Sequence, residues 1–132
     1  MIPEHLVELL ALAENKRLID QDSGWASGAE TYLDGLRDEV TEVKDELYSG
    51  RVCYLEDELG DLLWNYLNAL QLLDHQQKIS IENVFERARD KYQQRIEGIQ
   101  QGERWADIKA DQKQQLAQEH WATLSKAVVN EN

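Results

Sequence analysis

A chain of 132 residues has room for one domain with a core of its own, expected to span 1–132, and not for two. Its 26 acidic residues against 14 Lys and Arg give a formal charge of −12, which excludes a broad surface for a nucleic-acid polymer. A single nucleotide stays admissible, because one cation and a few basic side chains neutralise it. One cysteine excludes an intrachain disulfide and a Cys/His zinc pattern, no segment approaches the ~20 apolar residues of a membrane span, and no leader-like N-terminus is visible, so the expected location is a reducing cytoplasm.

The first predicted helix runs from about Pro3 to Ile19, burying Leu6, Leu9, Leu10 and Ala13. The segment DQDSGWASGAE then breaks the period with two glycines and two serines and is expected to be a loop. It carries Trp25, an aromatic of the kind that more often fills a core but also stacks on a nucleobase. A second helix is expected over about Ala29 to Ser49, with Leu33, Leu36, Val40, Val43 and Leu47 as its apolar stripe and Gly50 ending it. The short connection that follows favours an antiparallel third helix, about Tyr54 to His75, whose stripe is Leu55, Leu59, Leu62, Leu63, Tyr66, Leu67, Leu70 and Leu73. A fourth begins near Ser80 as N-cap and uses Ile81, Val84, Phe85, Ala88, Tyr92, Ile96 and Ile99. Gly102 and the stretch around Trp105 interrupt it, and a thinly apolar last helix is expected over about Asp111 to Val129. The fold class is therefore all-α, a core of about 3–101 with a C-terminal helical extension of about 103–132.

Two acid pairs stand out. Glu39 and Glu42, then Glu58 and Asp61, are each spaced i, i+3 on consecutive helices, and each acid precedes a stripe residue by one. Packing of the two stripes would bring four carboxylates together, an arrangement tolerable only around a hard cation such as Mg²⁺ or Mn²⁺. Asn65 lies one turn beyond Asp61 on the same side. The plain alternative for such pairs is a solvated helix face, common in a chain this acidic. Arg87, Lys91 and Arg95, spaced i, i+4, i+8, form a basic line that reads either as ion-pair partners of the acids or as a phosphate clamp. A redox di-metal bundle would require Glu-x-x-His, and none of His5, His75 and His120 stands three residues after a candidate ligand.

At these residues the chain resembles the MazG family of nucleoside triphosphate pyrophosphohydrolases, within the all-α superfamily that includes the dimeric dUTPases. The family signature Glu-Glu-x-x-Glu, a gap, then Glu-x-x-Asp is similar to Asp38-Glu39-Val40-Thr41-Glu42, fifteen residues, then Glu58-Leu59-Gly60-Asp61 and Leu-Leu-Trp. Asp38 stands where the family usually has Glu. SGW at Ser23 to Trp25 and KYQQR at Lys91 to Arg95 resemble two further family segments, and the resemblance runs from about Leu18 to Ile99.

What the resemblance implies is metal-dependent hydrolysis of (deoxy)nucleoside triphosphates to a monophosphate and pyrophosphate, as nucleotide-pool cleaning that favours dNTPs such as dCTP. It implies Mg²⁺, or Mn²⁺, on Glu39, Glu42, Glu58 and Asp61, with Glu39 or Glu42 as proton acceptor for the attacking water. Trp25, Asn65, Lys91 and Arg95 would contact substrate, and the assembly would be a homodimer or homotetramer. Two rivals remain: a non-enzymatic acidic helical interaction module, and a phosphoribosyl-ATP pyrophosphohydrolase sharing the carboxylate site.

Overall fold

The computed structural model describes residues 1–23 and 28–131, the side chains of Ser23 and of 128–131 excepted. Among the described residues there are five helices and no strand: α1 (Ile2–Ser23), α2 (Ala29–Glu46), α3 (Val52–His75), α4 (Ile81–Gln100) and α5 (Trp105–Glu131). The all-α expectation holds. The chain divides into two compact units, Met1–Ile81 and Glu82–Asn132.

In the first unit α3 packs against both α2 and α1. After α2 a turn leads to Gly50, whose φ of +76° is a left-handed conformation that a side chain would disfavour, and the chain reverses into α3. Ala13, Tyr32, Leu67, Ala69 and Leu70 are buried between the helices, with Leu67 wholly enclosed. Burying such a leucine stabilises by about 1.5–3 kcal/mol. Gln71 ties α3 to α1 by donating from Nε2 to the Leu10 carbonyl at 2.8 Å.

Helix α1 runs four residues past its expected end. Asp20, 6% exposed, continues its buried face as a polar residue, accepting from Lys16 one turn back and from Tyr32 of α2. A stripe read only from apolar residues stops short of it. Leu33 and Leu47, expected to be buried, are 48% and 47% exposed, because Tyr32 and Leu36 occupy the covered side of α2. Leu59, Leu63 and Tyr66 likewise form an exposed second apolar face on α3.

In the second unit a turn through Gly102, φ +86°, follows α4, and α5 starts six residues earlier than the sequence pattern suggests. Ile108 anchors that early turn: it is buried against Gly98, where an added Cβ would lie 2.6 Å from Ile108 Cδ1. The covered side of α4 thus holds Arg95 and Gly98. Phe85, Ala88, Tyr92, Ile96 and Ile99, expected to be core, are exposed.

Candidate metal and nucleotide site

Helices α2 and α3 bring three of the four sequence-predicted acids together. One carboxylate oxygen each of Glu39, Glu58 and Asp61 lies within 4.8 Å of the others. Glu42 falls outside that trio but touches Glu58, sharing a hydrogen-bond contact that requires a proton between two carboxyls. That contact first, then burial, then the charge of Glu42 and Glu39 push the Glu58 carboxyl up to about 7. Burial, followed by the charges of Glu42 and Asp61, raises Glu39.

Glu39 Oε2 and Glu58 Oε2 are buried with no hydrogen-bond partner. Two orphaned carboxylate oxygens facing like charges are costly as they stand, and oxygen donors without Cys or His are what a hard divalent cation takes. The donor set therefore fits such an ion.

Asn65 sits one turn along α3, its Nδ2 donating to the Asp61 carbonyl at 3.0 Å. Its Oδ1 lies where Gly35 of α2 leaves space; a Cβ there would be 2.6 Å away. Beyond Asn65 the same faces lead into a cavity of about 190 Å³, lined by Arg17, Asp20, Tyr32, Asn68 and His75. Seven residues separate Tyr32 from Glu39 and Asp61 from Asn68, nearly two turns, so each pair shares a face with a rise of ~10 Å. Tyr32 donates its hydroxyl to Asp20 Oδ2 at 2.7 Å, and Asn68 donates to the Trp64 carbonyl at 2.8 Å. Burial opposes the Asp20 charge, but the Lys16 and Tyr32 hydrogen bonds outweigh it and hold the carboxyl below its ordinary range. Sequence reasoning missed this cavity. Its signal is the polar residue recurring seven positions from an acid on a helix otherwise apolar there.

Lys91 and Arg95 lie in the second unit. Arg95 is buried, donating from Nε to Gln112 Oε1 at 2.8 Å with its guanidinium 5.0 Å from the Trp105 ring centre. Lys91 is exposed, its ammonium 5.9 Å from the Tyr92 ring. Arg87 pairs with Glu119 through both terminal guanidinium nitrogens. Trp25 lies outside the described residues.

The fold is all-α, and it sets a carboxylate cluster whose donors fit a hard divalent cation between two antiparallel helices. The family model of the MazG nucleotide pyrophosphohydrolase domain matches residues 27–99. The chain belongs to this family, whose activity is nucleotide pyrophosphohydrolysis and whose members generally depend on a divalent metal. No curated protein and no solved structure gives a match. Among the described residues no helix is long and apolar enough to cross a membrane.

Proposed function

We propose that the protein hydrolyses (deoxy)nucleoside triphosphates between the α- and β-phosphates, releasing a nucleoside monophosphate and pyrophosphate. The observation that carries this is the Glu39, Glu58, Asp61 cluster with its two buried, unpartnered oxygens, set inside the MazG match. Mg²⁺, with Mn²⁺ as a substitute, would be held by Glu39, Glu42, Glu58 and Asp61 and would supply charge neutralisation and polarisation of phosphate oxygens.

Glu39 or Glu42 accepts the proton of the attacking water as its oxygen bonds to phosphorus. The bond from that phosphorus to the bridging oxygen breaks, and pyrophosphate leaves with the charge that develops on it. The nucleobase occupies the cavity beside Tyr32 and Asn68, since the ~10 Å along both helices from cavity to acids suits a nucleoside with its phosphates extended. The Asn68 carboxamide offers a donor and an acceptor to a base edge, and cytosine is our favoured base. Asn65, between cavity and acids, would contact the sugar or first phosphate.

The exposed apolar faces of α3 and α4 support a homodimer or homotetramer, and a nucleotide-pool role in the cytoplasm follows from the proposed reaction. The test is pyrophosphate release from a panel of dNTPs and NTPs, with Mg²⁺ and with EDTA, identifying the nucleotide product. Metal-dependent monophosphate and pyrophosphate are expected. A folded protein releasing pyrophosphate from none of them overturns the proposal.

A further inference from the structure

Helix α5 lies beyond the residues that match the family, yet it builds one wall of a second cavity. This groove, of about 670 Å³, runs between α4 and α5 within residues 82–132. Lys91 and Arg95 line it from α4, and Lys109 and Lys113 line it from α5. Gln112 fixes their register, donating to the Lys91 carbonyl at 3.0 Å and accepting from Arg95. Lys109 and Lys113, one turn apart and flanking Gln112, therefore stand at the level of Lys91 and Arg95. The Arg87–Glu119 pair spans the two helices further along.

A concentration of cations is unexpected in a chain of charge −12. Lys91, Lys109 and Lys113 have no ion pair among the described residues. Like charges four residues apart on one helix repel, so both Lys91 with Arg95 and Lys109 with Lys113 are mutually unfavourable until an anion lies between them. Their ~6 Å separation along the axis is about the span of a chain of three phosphorus atoms. A lone carboxylate or phosphate would meet one pair only.

We infer that this groove binds polyphosphate, and that Lys109 and Lys113 of the C-terminal helix grip it together with Lys91 and Arg95. The C-terminal helix thereby selects tripolyphosphate over shorter chains.

The experiment titrates the metal-free, full-length protein with inorganic tripolyphosphate, pyrophosphate and phosphate, by calorimetry and by the fluorescence of Trp105, on which Arg95 stacks. Saturable, salt-sensitive binding in the order tripolyphosphate, pyrophosphate, phosphate is expected. Lys109→Gln with Lys113→Gln should weaken tripolyphosphate binding by about tenfold or more. The paired Arg substitutions should restore binding, and Lys126→Gln, which removes the same charge from α5 outside the groove, should leave it unaltered. Glu58→Gln should abolish turnover and keep tripolyphosphate binding, which separates the groove from the proposed reaction. No saturable binding by the wild type, or equal affinity in the double Gln variant, overturns the inference. So does loss of self-association in that variant with tripolyphosphate binding intact, which would assign the lysines to an acidic face of a second copy.

Discussion

Lowering the pH from about 7.5 to about 5.5 sets a proton against the cation at Glu58. Its carboxyl is held at about 7, so about half the metal-free molecules carry that proton at neutral pH, and cation binding must release it. For one competing proton of that pKa the apparent affinity falls about 25-fold across this window, approaching tenfold per pH unit at its acid end. Calorimetric titration with Mn²⁺, in pairs of buffers that differ in heat of ionisation, reads both the affinity and the protons released. Glu58→Gln should bind more weakly and with a flatter profile. The stability of the metal-free chain carries the same sign. A carboxyl raised above its ordinary 4.5 contributes stability fully present below that value and lost as pH rises through about 7. A wild-type affinity that varies less than about threefold over the window, with no proton released, would refute Glu58 as a ligand.

Glu39→Gln, Glu58→Gln and Asp61→Asn should each reduce metal-dependent turnover by at least about 100-fold while circular dichroism shows the helices intact. Removing the metal with EDTA should abolish turnover and lower Tm, and readdition of Mg²⁺ should restore both. Tyr32→Phe deletes a hydrogen bond to a buried carboxylate and should cost about 1.5–3 kcal/mol in urea unfolding at neutral pH. Asp20 is held below its ordinary 3.8, so that contribution is present above this value and vanishes as pH falls through the folded one; a Tyr32→Phe penalty that persists unchanged in acid would contradict the assignment. Gly35→Ala gains about 1 kcal/mol of helix propensity but forces Asn65 aside, so stability should change little while KM rises; an unchanged KM would remove Asn65 from the substrate path.

Much of the acid cluster was readable because its signal is local. A carboxylate one residue ahead of a packing leucine on each of two adjoining helices is placed by helical geometry alone, and Glu39, Glu58 and Asp61 meet accordingly. Glu42 illustrates the limit: its i, i+3 spacing is identical, but it sits further round α2 and meets Glu58 without completing the trio. The full length of α1 and the cavity beside it depend on Asp20 and Tyr32, a buried polar pair twelve residues apart that hydrophobic periodicity does not register. In α4 the apolar pattern was plain but its destination was not. Periodicity marks a face as apolar without saying which neighbour covers it, and here α5 covers Arg95 and Gly98 instead.

The two orphaned oxygens of Glu39 and Glu58 also bear on how long the protein survives in a cell. A site that strains the empty chain and relaxes when loaded makes the ion a folding ligand, and the excess of empty over loaded molecules determines how often unfolded chains meet a protease. Cation supply would then govern abundance as well as rate, and starvation for the metal would deplete the protein itself.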